Sequence, residues 1–218
     1  MRHFELELNG LRTALLEMSG LVEDAIYRSV QALVRRDGAQ AEEIYQNEAR
    51  INRMQIEIDD RANRLLALEQ PVAKDLRLIT AAIKINSDLE RMGDEAVNIV
   101  ERADVMMREA PVDAPIDITR MAGLVESQVR KALDSFVKQL PELARSVLES
   151  DDAIDQAKDE TYRELLKFME NDPQTIPQCV SLMFVAHSLE RIADHATNIA
   201  EDVLFLVQGI DVRHHAEA

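Results

Sequence analysis

The sequence is short of the residues that interrupt helices. Its 218 residues include only six glycines and six prolines, whereas average usage would give roughly 26 of the two together. A sandwich or barrel needs a turn about every 8–12 residues, so this shortage argues against both. Tryptophan is absent, while alanine, leucine, glutamate, isoleucine, arginine and methionine are abundant. The composition therefore predicts an all-α protein.

The sequence also lacks the features expected of a nucleic-acid-binding, secreted or membrane-spanning protein. Its net charge of −16, with no basic cluster, repels both nucleic acid and an anionic membrane surface. Cys179 is the single cysteine, so an internal disulfide is excluded. The charged first residues do not resemble a signal peptide, and the longest uncharged run, residues 174–189, is too short to span a bilayer. We expect a soluble cytoplasmic protein that could regulate genes only through other proteins.

Apolar residues recur at steps of three and four along most of the chain, which predicts long amphipathic helices. In the second predicted helix, Ile44, Ile51, Ile58 and Leu65 are each seven residues apart. The dipeptides at 37–38 (DG) and 70–71 (QP) are plausible helix ends, because proline cannot continue a helix but is tolerated in its first turn. The third predicted helix runs from about 71 to 108. A stretch rich in turn residues follows at 109–115 (EAPVDAP), close to the midpoint of the chain.

The two halves of the sequence are copies of each other. Residues 18–23 (MSGLVE) recur at 121–126 (MAGLVE), an offset of 103. Residues 89–101 (LERMGDEAVNIVE) recur at 189–201 (LERIADHATNIAE), an offset of 100. This duplication predicts six helices in two antiparallel three-helix bundles, over residues 1–110 and 111–218, packed around a pseudo-twofold axis.

Acidic and amide residues form a stripe along the third predicted helix, and the sixth repeats it. The stripe positions follow one another at i, i+4, i+8 and i+11, so they lie within roughly 80° around the helix axis. Apolar residues occupy the opposite side and are expected to enter the core. The first stripe is Glu90, Asp94, Asn98 and Glu101, and the second stripe is Glu190, Asp194, Asn198 and Glu201.

The stripes are either solvated helix faces or metal-binding faces. Most charge runs are solvated, but these stripes contain no lysine, and their stacked oxygens repel one another unless a cation neutralises them. Both copies keep all four residue types, whereas neighbouring positions differ, as at Glu95/His195 and Val97/Thr197. Oxygen ligands favour Mg, Mn or iron, and carboxylates also bind zinc. We therefore predict metal binding at all eight positions.

Four segments resemble the PhoU family of phosphate-specific transport accessory proteins. They are ERMGDEAVNIVE, ERIADHATNIAE, the preceding QPVAKDLRLI and the closing FLVQGIDVRH. The E-x-x-x-D motif of that family is matched once in each half, at Glu90/Asp94 and at Glu190/Asp194. A lone E-x-x-x-D carries little information, but two at equivalent places with the same flanks are specific. The resemblance covers nearly the whole chain.

The resemblance implies a function that spacing alone does not. It implies a cytoplasmic homodimer of two-bundle subunits, with multinuclear iron or zinc clusters at the acidic stripes. It also implies a non-enzymatic negative regulator of phosphate uptake and of phosphate-starvation signalling. The partners implied are a phosphate-sensing histidine kinase and the ATPase subunit of the phosphate ABC transporter, with no nucleic acid and no membrane insertion.

Two other functions compete with this one. A carboxylate-bridged iron oxidase or iron store usually carries Glu-x-x-His on two helices, but Glu90 and Glu190 are followed at i+3 by Gly93 and Ala193. A purely structural helical scaffold does not explain why the acidic stripe was kept in both halves. No nucleophile–base pair stands out, and the phosphate-binding motif G-x-x-x-x-G-K-[ST] is absent.

Several further polar residues are site candidates. Glu23 and Glu126 are equivalent acids that could add metal ligands or face solvent. Asp155 and Asp159 form a third D-x-x-x-D that is expected to be a surface feature, and His195 is expected at the surface or in an interface rather than as a ligand. The basic residues of the third predicted helix are expected to be solvated, the alternative being contact with a partner or with phosphate; they are Lys74, Arg77 and Lys84. His214 and His215 lie in a short polar tail.

Overall fold

The computed structural model describes residues 2–38 and 41–212, so His214 and His215 lie outside the described residues. These residues form seven α-helices and a short 3-10 turn at Pro173–Thr175, and the described ranges contain no strand. The helices are α1 (Arg2–Arg35), α2 (Ala41–Glu69), α3 (Ala73–Met107), α4 (Ile118–Lys138), α5 (Pro141–Leu148), α6 (Asp151–Asn171) and α7 (Ile176–Gln208). None of them is long and apolar enough to cross a membrane.

The helices form two bundles with equivalent arrangements of helices. In the first half, α1, α2 and α3 pack against one another, and in the second half α4 and α7 pack against α5 and α6. The one difference from the six predicted helices is that α5 and α6 together take the place of α2. The chain turns between them at Glu149 and Ser150, where the Ser150 hydroxyl donates to the carbonyl oxygen of Val147 at 2.9 Å. The all-α, duplicated architecture expected from the repeats is confirmed.

The helix ends lie close to the predicted breaks. Arg36 (φ 52°) follows α1 and Gln70 (φ 47°) follows α2, so both helices end on a residue in the left-handed region. These ends fall within two residues of the predicted stops at 37–38 and 70–71. Residues 108–117 connect the two halves, and the predicted boundary between 110 and 111 lies inside this connector. The side chain of Asp117 then caps α4 by accepting from the backbone N–H of Arg120 at 2.8 Å.

The core contains the predicted periodic residues. At most 1% of the surface is exposed for Leu11, Leu15, Met18, Val22, Ile44, Ile51 and Ile58. The same holds for the apolar side of α3 and α7, where Ile85, Met92, Ala96, Ile99, Ile192 and Ile199 are fully buried. This burial turns the opposite side of each helix, which carries the stripe, away from the core.

α3 and α7 pack side by side along the contact between the two bundles. Residues that meet across them run in opposite order, with Lys84 near Asp202 at one end and Glu95 near Arg191 towards the middle. The two copies of the third helix are therefore antiparallel. We call the polar side chains that meet between α3 and α7 the seam.

Candidate metal-binding stripes

Three carboxylates from two helices lie near one another in the first half. Glu90 and Asp94 project from α3, and Glu48 on α2 lies near both. Burial, followed by the charges of Asp94 and Glu48, raises the pKa of Glu90. Burial, followed by the charges of Glu48 and Glu95, raises the pKa of Asp94. We call Glu48, Glu90 and Asp94 the first acidic cluster.

The second half brings four carboxylates together in the equivalent place. Glu190 and Asp194 project from α7, and Asp151 and Asp155 from α6. Burial, followed by the charges of Glu190, Asp151 and Asp155, raises the pKa of Asp194. Burial also raises the pKa of Asp151, despite the hydrogen bond donated by the amide of Gln128. We call Asp151, Asp155, Glu190 and Asp194 the second acidic cluster.

The stripes alone did not identify the acids that α2 and α6 contribute. Glu48 and Asp151 are separated by 103 residues, the same offset as the repeats, and so are Asn52 and Asp155. A carboxylate repeated at that offset is the signal that could have found Glu48 and Asp151. The expectation that Asp155 lies at the surface holds, since 58% of its side chain is exposed, yet it also borders the cluster.

A lysine already neutralises part of the second acidic cluster. The ammonium nitrogen of Lys158 on α6 lies 2.6 Å from Oε1 of Glu190 and 3.7 Å from Oδ1 of Asp155. His187 Nδ1 lies 3.4 Å from the other Glu190 oxygen, Oε2. The hydrogen bond to Glu190 is the main cause that raises the pKa of Lys158. The lysine missing from the α7 stripe is therefore supplied by a neighbouring helix.

The two stripe asparagines take part in the seam. The Asn98 amide donates to Oε2 of Glu95 at 3.0 Å, one turn back on α3. The Asn198 amide donates to Oδ1 of Asp88 across the seam at 3.2 Å. Both amides therefore bind seam acids, whereas the E-x-x-x-D pairs face α2 and α6.

The last residue of each stripe lies apart from the acidic clusters. Burial, followed by the charges of Asp104 and Glu101, raises the pKa of Tyr45, which places Glu101 beside α2 near that phenol. Glu201 borders a surface hollow together with Lys84 from the other half. The structure thus brings together the first two residues of each stripe but not all four.

The seam joins the halves through pairs of ionisable groups, most of which are buried. His195 Nδ1 lies 2.9 Å from Oδ1 of Asp88, and Arg191 Nε lies 3.0 Å from Oε1 of Glu95. The acids and the histidine are each less than a tenth exposed. His195, expected at the surface or in an interface, lies in the interface between the bundles.

The sequence matches the PhoU domain twice, over residues 15–103 and 118–203. The chain belongs to the PhoU family. It is 40% identical to a phosphate-specific transport system accessory protein PhoU homolog of Pseudomonas putida, over 98% of this chain and 84% of that protein. The corresponding PhoU homolog of Aquifex aeolicus is 39% identical over 95% of this chain and 94% of its own length.

Crystal structures of PhoU proteins have the same fold. PhoU from Pseudomonas aeruginosa superposes with a TM-score of 0.91 at 38% identity, covering 95% of this chain and all of that one. The phosphate transport system regulatory protein PhoU of Streptococcus pneumoniae gives 0.87 at 30% identity, covering 96% and 99% of the two chains. The two PhoU domain matches fall on the two duplicated halves.

The donor chemistry of both PhoU domains suits a hard cation. Carboxylates from two helices lie near one another in each half, and in the second half Gln128, which is 2% exposed, has an Oε1 atom with no hydrogen-bond partner next to Asp151. Such oxygens are the ligands that Mn²⁺, Mg²⁺ and iron prefer. Within residues 2–38 and 41–212, however, no three His, Cys, Asp or Glu side chains already converge at metal-binding spacing. Binding would therefore require the carboxylates to change rotamer.

Three of the remaining candidates in the PhoU domains, Glu23, Arg77 and Lys84, have partners within the described residues. Glu23 lies 3.8 Å from the guanidinium of Arg130, and burial raises the pKa of Glu126. Two basic residues expected to be solvated instead reach α7. Lys84 pairs with Asp202, and Arg77 donates to a backbone carbonyl at 3.4 Å.

Proposed function

We propose that this chain is a non-enzymatic accessory protein of a phosphate transport system, where it restrains phosphate uptake and represses phosphate-starvation signalling. The observation that carries the proposal is the match to PhoU proteins in both sequence and fold over at least 95% of the chain. The relatives are named accessory or regulatory proteins of phosphate transport. A role exerted through other proteins also agrees with a net charge of −16, which opposes binding to nucleic acid.

The partners proposed are a phosphate-sensing histidine kinase and the ATPase subunit of the phosphate ABC transporter, met in the cytoplasm by a homodimer of this chain. The proposal can be tested by deleting the gene and measuring a phosphate-starvation promoter in phosphate-rich medium. Expression should stay high in the deletion strain and return to the repressed level when the intact gene is restored. Normal repression in the deletion strain would contradict the proposal, as would tight, sequence-specific DNA binding by the pure protein.

A separate experiment tests the partners directly. The tagged protein is recovered from cells grown at high phosphate, and the bound proteins are identified by mass spectrometry. The kinase and the ATPase subunit should be enriched over an untagged control. Sedimentation of the pure protein then tests the homodimer, since a monomer at micromolar concentration would contradict it.

We also propose that the stripes bind metal ions at the two acidic clusters, which contain the first two residues of each stripe, with iron or zinc first and Mn or Mg next. The support is the chemistry of the acidic clusters, in which burial and mutual repulsion raise the pKa of Glu90, Asp94, Asp151 and Asp194. A bound cation relieves both effects. Elemental analysis of protein purified without chelator or metal-affinity resin tests the proposal, and metal-free protein that also fails to take up added metal would contradict it.

The packing around α3 disfavours the competing iron oxidase or iron store. Its Glu-x-x-His signature would need histidine at Gly93 and Ala193. A Cβ atom on Gly93 would already lie 3.2 Å from Cδ1 of Ile51, and Ala193 is 1% exposed. A histidine at either position would have to displace side chains packed around a buried residue. Peroxide-dependent oxidase activity of the iron-loaded protein would favour that alternative.

A further inference from the structure

The two acidic clusters differ at several equivalent positions, one of which exchanges a lysine for a neutral amide. Lys158 on α6 corresponds to Gln55 on α2, at the repeat offset of 103. The Lys158 ammonium lies 2.6 Å from Glu190, so a cation that belongs to the protein occupies one side of the second cluster. In the first half the equivalent residue is a neutral amide. Among the described residues, no ion pair reaches Glu90 or Asp94.

We infer that Lys158 competes with metal ions at the second acidic cluster, so that the first cluster binds a divalent cation more tightly than the second. This inference rests on the proposed metal binding and assigns the two halves different roles in it. A metal ion that binds Oε1 of Glu190 must displace the ammonium group of Lys158, and Oε2 has His187 Nδ1 at 3.4 Å. A metal ion at Glu90 displaces no ammonium group.

The low exposure of Lys158 and Glu190 indicates that their ion pair opposes metal binding measurably. Only 15% of the Glu190 side chain and 21% of the Lys158 side chain are exposed, so solvent screens this ion pair less than a surface pair. Displacing the ammonium therefore costs more than breaking a pair in open solvent. Both groups are held on neighbouring helices, which keeps the pair together in the absence of metal.

The extra carboxylate of the second cluster, Asp155, offsets only part of the loss of metal affinity that Lys158 causes. Asp155 stands where the first half has Asn52, so the second cluster has four acids and the first has three. The Asp155 side chain is 58% exposed, and its distance to the Lys158 ammonium is 3.7 Å. Its charge is well screened by water, whereas Lys158 acts directly on a partly buried oxygen.

The experiment measures Mn²⁺ binding to each half separately. The variant Glu190→Gln/Asp194→Asn leaves the first cluster intact, and Glu90→Gln/Asp94→Asn leaves the second. Mn²⁺ is titrated into each full-length variant, and the free ion is followed by its electron paramagnetic resonance signal. We expect the dissociation constant of the second cluster to be roughly fivefold larger than that of the first, the effect of an ion pair of intermediate exposure.

Exchanging the two equivalent residues makes the test specific. Lys158→Gln, added where only the second cluster is intact, should tighten Mn²⁺ binding roughly fivefold, and Gln55→Lys should weaken the first cluster by a similar factor. Lys167→Gln and Gln46→Lys are the matched controls. They make the same charge changes on the same helices, at exposed positions paired with Glu164 and Glu42, and should leave both affinities unchanged.

Each outcome decides between the two proposals. If both clusters bind Mn²⁺ but Lys158→Gln has no effect, or if the second cluster binds more tightly than the first, the inference is wrong and metal binding stands. If neither cluster nor the wild-type chain binds Mn²⁺, both proposals fail. Circular dichroism of every variant checks folding, and Lys158→Met replaces Lys158→Gln if the latter unfolds.

Discussion

The ammonium nitrogen of Lys84 lies 2.6 Å from Oδ1 of Asp202, so a residue of one half pairs with a residue of its copy. The equivalent positions in the exchanged halves are Phe184 and Arg102. There the Arg102 guanidinium lies 4.4 Å above the Phe184 ring. The duplicated helix thus makes an ion pair at one end of the seam and a cation–π contact at the other.

These pairs make each half complementary to the other half but not to itself. In the same antiparallel register, two copies of α3 would place Lys84 beside Arg102, and the two positive charges would repel. Two copies of α7 would place the Asp202 carboxylate beside the Phe184 ring. The diverged seam therefore favours pairing between the halves of one chain.

Removing the ammonium group from the seam should lower stability. Lys84→Met keeps the length of the side chain but leaves the Asp202 carboxylate, whose side chain is only 7% exposed, without this partner. Because Lys84 itself is 42% exposed, we expect a loss of about 1 kcal/mol in the free energy of unfolding, the value for a partly screened pair. Urea denaturation measures it. Lys74→Met, at an exposed position on the same helix, is the control.

Exchanging the charges of that pair tests its geometry. Lys84→Asp should destabilise the protein more than Lys84→Met, because it places two carboxylates together. Adding Asp202→Lys should then recover part of the loss. A double variant no more stable than Lys84→Asp would show that the contact contributes nothing specific.

Glycines on helix surfaces should differ from the glycine at a helix contact. A Cβ atom at Gly20 or Gly123 would meet nothing within 4 Å, so each Gly→Ala change should raise stability by about 0.5–1 kcal/mol. Gly93→Leu should lower it by about 1–3 kcal/mol, because its Cβ alone would approach Ile51 at 3.2 Å. Thermal melts of the three variants give the comparison, and a stabilised Gly93→Leu variant would contradict the packing described for α2 and α3.

Replacing the two stripe aspartates separates the solvated-face and metal-binding interpretations. Without metal, Asp94→Ala/Asp194→Ala should be as stable as wild type or slightly more so, because i,i+4 repulsion costs roughly 0.2–0.5 kcal/mol per pair. With metal, only wild type should gain, by about 2.7 kcal/mol when the ion is at a hundredfold excess over its Kd. Melting curves of both proteins with and without metal test this. If the wild-type melting curves are identical with and without metal and the purified protein retains no metal, the stripes are solvated helix faces.

The first acidic cluster should make metal-free protein less stable as the pH rises. Burial and neighbouring charges raise the pKa of Glu90 and Asp94 in the folded state. The folded state therefore binds their protons more tightly than the unfolded state. This stabilisation is fully present below the usual carboxyl pKa of about 4 and is lost as the pH passes the raised values.

The matched variant isolates this contribution. The free energy of unfolding of wild type, minus that of the Glu90→Gln/Asp94→Asn variant, should be greatest at acid pH and should decline towards neutral pH. Urea denaturation in the presence of chelator measures both values. A difference that grows in favour of wild type as the pH rises would show that partners stabilise these carboxylates in the ionised form.

The sequence predicted helices and buried faces because both depend on positions along one helix. The seven-residue spacing of Ile44, Ile51 and Ile58 placed them in the core, and the offset between the repeats predicted the second bundle. The proximity of Glu90 and Asp94 was also predicted, since residues four apart are neighbours on one helix face. The turn between α5 and α6 was not found, since neither glycine nor proline marks Glu149 and Ser150.

What only the tertiary structure decided is which side chains meet between helices. The spacing along α7 showed an acidic stripe without lysine, but the rotation and register of α6 against α7 bring Lys158 onto Glu190. In the same way, antiparallel packing of α3 on α7 brings Lys84 to Asp202. Periodicity reports on which side of its own helix a residue lies. The partner across the contact depends on how two helices are rotated and shifted, which is set by packing of the whole core.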